Sequence, residues 1–293
     1  MMRASGAPLV ANPGPEDPMK TLLACLTNDA HADDILSAAI PLARRHSAHL
    51  IGLHTVEALA IYPNVTVHLP DTIYTNFARS QSESSQAIRE HFEAQVRAED
   101  FVSEWREVTA QSMTAADRMV EAAQTSDLVI MAQADATVDR ADQHHAQEQV
   151  VRRSGRPVLH VPDGYRGEHL GKSVIIGWSP TREAARAVHD ALPLMADGAK
   201  AWIVVVTGGD DKRYEGATEL ARALDRHGID AEIVQRTARQ QEIAPLLERE
   251  ALERGADLIV TGAFGHSRLY DFVIGAVTLD LMRTAKLPVL FSR

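Results

Sequence analysis

The chain has 293 residues, 45% of them apolar and 24% charged, and carries a formal net charge of −10. That size allows two domains of ordinary dimensions, and the composition argues against long disorder. The acidity argues against the cationic surface that nucleic acid or an anionic membrane demands, so neither is expected as a partner.

Residues 1–18, with Gly6, Pro8, Pro13, Gly14, Pro15 and Pro18, lack the apolar core of a secretory signal and read as a flexible leader. No apolar stretch is long enough to span a bilayer. Met19 stands just before the first strand, which runs from Lys20 to Leu26 and contains Cys25, the single cysteine. One cysteine cannot close an internal disulfide, which fits a reducing, cytoplasmic compartment. On an apolar strand Cys25 reads as a buried thiol, because a reactive thiolate needs exposure and nearby positive charge. His31, Asp33 and Asp34 follow and read as caps of the first helix in preference to metal ligands.

A long connection over residues 57–72 holds Tyr62, Val65, Val67 and Leu69 in period two, an edge strand or else a cover over a pocket or partner surface. Further on, Asp142, His144 and His145 read as a solvated polar turn. Pro162, Gly164, Gly167 and Gly171 then mark a linker.

After the linker, Val174-Ile175-Ile176 is a strand, and Ala184, Ala187, Val188, Ala191 and Leu192 recur at helical spacing. Residues 202–206 form a strand, 220–224 lie in a helix stopping near Gly228, and 231–234 form a third strand. Residues 243–256 form a helix ending near Gly255, and 258–261 a fourth strand. Val277, Leu281, Met282 and Ala285 mark a last helix before a strand at 289–291. The first half follows the same order. Asp127-Leu128-Val129-Ile130 matches Asp257-Leu258-Ile259-Val260, and Arg156-Pro157-Val158-Leu159-His160 matches Leu287-Pro288-Val289-Leu290-Phe291. The chain is therefore a tandem repeat. Its parts are a leader (1–18), a first domain (19–163), a linker (164–170) and a second domain (171–293). Strands apolar throughout, alternating with helices, indicate a doubly wound, Rossmann-like α/β sheet in each domain.

Chemistry concentrates after the fourth strand of the second half. Thr261-Gly262-Ala263-Phe264-Gly265-His266-Ser267 is followed by Gly275-Ala276-Val277-Thr278, a G-x2-G-x9-G spacing. Gly262 and Gly265 let a backbone approach a ligand without a Cβ between, and Gly275 opens a helix whose free N–H groups favour an anion. They serve equally as plain turn and cap residues. His266 either touches a phosphate or caps the turn. No Ser/His/Asp order, G-x4-GK[ST] loop or zinc spacing is present, so no enzyme activity is expected.

These glycines with Pro288-Val289-Leu290, together with Gly177-Trp178-Ser179-Pro180-Thr181-Arg182-Glu183-Ala184-Ala185-Arg186-Ala187, resemble a universal stress protein domain in its tandem, two-copy form. The resemblance covers residues 19–293 and is more specific in the second half. It implies two five-stranded parallel sheets of the adenine nucleotide α-hydrolase-like type, strand order 3-2-1-4-5, packed as an internal pseudo-dimer, with a further homodimer left open. It implies ATP or AMP as ligand, with Mg2+ where the ligand is ATP. The nucleotide would lie against Trp178, Ser179, Pro180, Thr181, Val206, Gly262, Gly265, His266, Gly275, Ala276, Val277 and Thr278.

Two positions depart from the pattern. Ala276 stands where a serine or threonine meets a phosphate, and Ser179 where an aspartate contacts the nucleoside. In the first half the loop begins Ala132-Gln133-Ala134-Asp135, with Asp139 beyond, and is expected not to bind nucleotide. The implied function is an adenine-nucleotide-binding sensor or regulator in the stress response, acting through the second half, with at most slow hydrolysis of a bound ATP. The alternative is a stress-associated interaction scaffold that binds no nucleotide. An isolated second half, if soluble, would on this reading keep the site, and an isolated first half would show none.

Overall fold

Strands without a polar face must be covered on both sides, and the two halves of this chain achieve that together. The computed structural model describes residues 19–57, 71–110, 113–134, 140–167, 169–207, 214–265 and 275–293. The leader, the segment with Tyr62, Val65, Val67 and Leu69, and Asp135, Asp139 and His266 lie outside the described residues. The first half runs β1 (Thr21–Cys25), α1 (Ala32–His46), β2 (His49–Glu57), α2 (Asp71–Val96), β3 (Ser103–Ala110), α3 (Ala115–Ala123), β4 (Leu128–Ala132), α4 (Arg140–Arg153) and β5 (Val158–Val161). The second runs β6 (Ser173–Trp178), α5 (Arg182–Ala191), β7 (Lys200–Thr207), α6 (Tyr214–Arg226), β8 (Asp230–Thr237), α7 (Ile243–Arg254), β9 (Leu258–Gly262), α8 (Ala276–Thr284) and β10 (Val289–Ser292).

Each half orders its strands 3-2-1-4-5, all parallel. The repeated aspartates explain part of the register. Asp127 accepts from the backbone N–H groups of Lys20 and Thr21 at 2.8 and 2.9 Å. Asp257 does the same for Gly171 and Lys172 at 2.8 and 2.9 Å. Each carboxylate ties the start of the fourth strand to the start of the first, pairing donors that would otherwise be left at a strand end.

The two sheets do not stay separate. β5 and β10 pair antiparallel, Val289 opposite His160 and Phe291 opposite Val158, giving one ten-stranded sheet in the order β3-β2-β1-β4-β5-β10-β9-β6-β7-β8. Of the two edge strands in each five-stranded sheet, the fifth strands cover each other, and β3 and β8 remain the outer edges. Helices α1, α2, α5 and α6 cover one face over Leu22, Ile130, Leu159, Val174 and Val260. Helices α3, α4, α7 and α8 cover the other over Leu23, Val129, Val158, Ile175 and Phe291. Both apolar layers run unbroken through the junction. An isolated second half would expose β10 and cut both layers.

Other expectations resolve locally. Cys25 is buried, and desolvation pushes its thiol up to about 12, so it stays protonated and inert. A single 3-10 turn, Asp29–His31, leads into α1 and is capped by the Asn28 side chain, which accepts from the Ala30 N–H at 3.0 Å. His31 holds the N-cap position of α1 without a side-chain cap bond, and Asp33 and Asp34 lie in its first turn. The segment with Asp142, His144 and His145 is the first part of α4 and not a turn. Among the described residues no helix is long and apolar enough to cross a membrane.

His160 sits on the junction itself, 1% exposed, edge-on to Phe291 at 6.1 Å between ring centroids. Neither ring nitrogen has a hydrogen-bond partner among the described residues. Burial, aided by the charge of His144, pulls its pKa down to about 3 from 6.5. The folded pKa is depressed, so the unfolded chain binds the extra proton between these values. Stability from this group is complete above about pH 6.5 and falls as the pH drops toward 3. At pH 5 the loss is about 2 kcal/mol, at roughly 1.4 kcal/mol per pH unit. Denaturant unfolding at pH 7 and pH 5 should show that loss in the natural protein and its removal in His160→Leu. Equal acid sensitivity of the two proteins would refute the assignment.

Candidate functional site

Ligands of open α/β sheets sit beyond the carboxyl ends of the strands, where the order reverses. In the second half that place lies between β6 and β9, which are immediate neighbours with Gly177 opposite Thr261. Two helices start there. α5 begins at Thr181, whose hydroxyl accepts from the Ala184 N–H at 3.2 Å and caps the helix. α8 begins at Gly275, φ +91°, with no side-chain cap and no acidic residue in its first turn. Among the described residues no side chain caps its first turn, which carries the positive end of the helix dipole.

The loop between them is held from both sides. A Cβ on Gly262 would lie 2.5 Å from the Ala184 nitrogen, so α5 can rest on the end of β9 only because residue 262 is glycine. A Cβ on Gly275 would lie 2.5 Å from the Phe264 ring. Phe264 is buried, has φ +51°, and donates its N–H to the Thr278 hydroxyl at 3.2 Å. Gly265 faces the Glu183 carboxylate, whose Oε2 would stand 2.9 Å from a Cβ there. Close internal packing thus requires glycine at 262 and 275, whatever else they bind, whereas at 265 the neighbour is the end of the Glu183 side chain.

Glu183 was not singled out from the sequence. Its side chain is buried and pairs with the Arg182 Nε at 2.6 Å. Burial alone would raise its pKa. The hydrogen bonds from Arg182 and from its own backbone, with the charges of Arg182 and Arg293, outweigh that and hold it below the usual carboxylate range. An ionised carboxylate therefore sits beside the loop. Only its distance from the loop reveals this, because a glutamate in the first turn of a helix is ordinary in sequence.

Of the residues read from sequence, Gly262 and Gly265 meet the start of α5 at Glu183 and Ala184, just past Thr181, and Gly275 meets Phe264. Thr278 spends its acceptor on Phe264, and the Ser179 hydroxyl lies 3.4 Å from that of Thr181. Val206 and Val277 share the face carrying Ala263 and Phe264. Trp178 packs on the opposite face, with its indole nitrogen buried beside Gly216. The Trp178 and Val206 side chains are thus not brought together.

The same end of the first half is occupied from within. The chain leaving β5 crosses the start of α1, where the Gly164 N–H bonds the buried Asp34 carboxylate at 3.1 Å and Arg166 pairs with its other oxygen. Gln133, at the end of β4, donates to the Ala285 carbonyl of the second half at 2.7 Å. His31, Asp34 and Asp163 bring possible metal-ligand atoms within 4.8 Å of one another, but the Asp34 charge is already met by Arg166.

Residues 172–293 match the universal stress protein family. The whole chain resembles in fold a universal stress protein from Archaeoglobus fulgidus DSM 4304, at 13% identity and a TM-score of 0.70, over 94% of this chain and 96% of that one. It also resembles a functionally unknown protein from Pseudomonas aeruginosa PAO1, at 14% identity and a TM-score of 0.57, over 94% and 93% of the two chains. At these identities the likeness is one of fold. No curated protein matches the chain.

The packing around the glycines sets a stability test. Gly262→Ala drives a methyl into the α5 backbone and should cost about 2–3 kcal/mol. Gly198→Ala, at φ +70° with nothing within 4 Å of the new methyl, should cost only about 1 kcal/mol. Equal losses in thermal or denaturant unfolding would show that α5 does not need the space at Gly262.

Proposed function

With residues 172–293 a universal stress protein domain and the first half a second copy of its fold, we propose that the protein is a stress-response regulator that binds one adenine nucleotide per chain, in the second half. The observation that carries this reading is the uncapped start of α8 beside the crevice between β6 and β9. An uncapped helix start with no acid in its first turn offers phosphate several N–H groups and a favourable dipole. Ala276 removes one hydroxyl from that cradle, and the backbone donors remain. AMP or ATP would place its phosphate there and its nucleoside against Ser179 and Val206, with Mg2+ accompanying ATP. The first half is read as contributing no second site, a reading supported by Asp34, at the start of α1, being already engaged by Gly164 and Arg166.

One observation favours the scaffold reading, in which no nucleotide binds. The Glu183 carboxylate stands beside Gly265, and its negative charge opposes a phosphate nearby. On the nucleotide reading this charge weakens binding without abolishing it. Calorimetric titration of the full chain with AMP, and with ATP and Mg2+, should give one site. Glu183→Gln should tighten it about fivefold, the worth of removing roughly 1 kcal/mol of charge repulsion. If neither protein binds at millimolar nucleotide, the scaffold reading replaces this one. Two equivalent sites would refute the asymmetry between the halves.

A further inference from the structure

The glycine loop of the second half is capped by a side chain from the first. Arg152, near the end of α4, lays its guanidinium over the Phe264 ring, 3.6 Å from the guanidinium carbon to the ring centroid. Its Nε bonds Glu148 at 2.7 Å, which fixes the side chain along α4, and its carbonyl accepts from Arg293 at 3.2 Å. Phe264 in turn closes against Gly275 and bonds Thr278 through its N–H. It also has a left-handed backbone, a conformation costly for a residue with a Cβ and kept only where the surroundings enforce it. Apart from Phe264, Ser47 at the end of α1 is the only described non-glycine residue with positive φ, and a helix end is an ordinary place for it.

The ring is held by contacts of different origin. Below it lie the packing of β9 and the first turn of α8, which belong to the second half. Above it lies a cation that reaches it only because β5 and β10 pair and bring α4 over the loop. A guanidinium stacked on a desolvated aromatic face is attracted by the ring quadrupole and excludes water from it.

We infer that Arg152 is a positioning residue, supplied by the first half, that holds Phe264 and with it the glycine loop and the start of α8 in the second half. The half without a glycine loop of its own completes the loop of the other. The inference concerns the loop and stands without any ligand. Its consequence for nucleotide affinity rests on the function proposed above.

The experiment uses the full chain, as the natural protein, Arg152→Ala and Arg152→Lys. Hydrogen exchange read by mass spectrometry follows peptides covering residues 258–265 and 275–282, with peptides from β1 and β4 as the reference for overall stability. Arg152→Ala should speed exchange at the loop and at the start of α8 by about tenfold, with β1 and β4 unchanged. Arg152→Lys, which keeps a cation but loses the flat stack, should fall between the two. In parallel, titration with ATP and Mg2+ should show an affinity about fivefold weaker in Arg152→Ala. Unchanged loop exchange, or an equal acceleration in β1 and β4, overturns the inference. If the natural protein binds no ATP, the proposed function fails and the exchange comparison still decides whether Arg152 positions the loop.

Discussion

The antiparallel pairing of β5 with β10 is the constraint on which the other features depend. Strand order 3-2-1-4-5 places the fifth strand of each half at an edge, and an apolar edge strand left open invites pairing with another chain. Here each half supplies the other's missing neighbour. The sheet becomes continuous, the apolar layers above and below it run through the junction, and α4 comes to lie over the glycine loop of the other half. His160 is the cost of that arrangement, an imidazole buried on the junction with no partner among the described residues for either nitrogen.

The glycine loop shows how one sequence pattern can serve two masters. Gly262 gives room to the backbone of α5, Gly265 to the Glu183 carboxylate and Gly275 to the Phe264 ring. At Gly262 and Gly275 these demands are internal and would select glycine with no ligand at all. Yet the same close packing sets the start of α5 against the end of β9 and Phe264 against the start of α8, which has no side-chain cap among the described residues. A ligand there would meet backbone donors as well as the Glu183 carboxylate. Which prevails is a matter of a few charges and not of the fold.

The halves share a topology and differ in what lies beyond their strands. In the second, the crevice is walled by glycines and two helix starts. In the first, the linker crosses that place, with Gly164 and Arg166 holding Asp34. The linker therefore does more than connect. It satisfies a buried carboxylate that would be expensive to leave without donors.

Much of this was legible in the sequence. Apolar runs alternating with amphipathic helices specified parallel sheets covered on both faces, because such strands cannot meet water. The repeated Asp-Leu-Val-Ile and Asp-Leu-Ile-Val segments specified two copies, and Gly262, Gly265 and Gly275 located the loop, since glycine is visible wherever a backbone must come close or turn to positive φ. The rest depended on distances between residues far apart in the chain. His160 meeting Phe291, Arg166 meeting Asp34 and Arg152 meeting Phe264 leave no periodic trace, because long-range contacts are set by how finished elements dock and not by local spacing. Glu183 was likewise visible as a residue but not as a charge beside the loop, for only the docking of α5 on β9 puts it there.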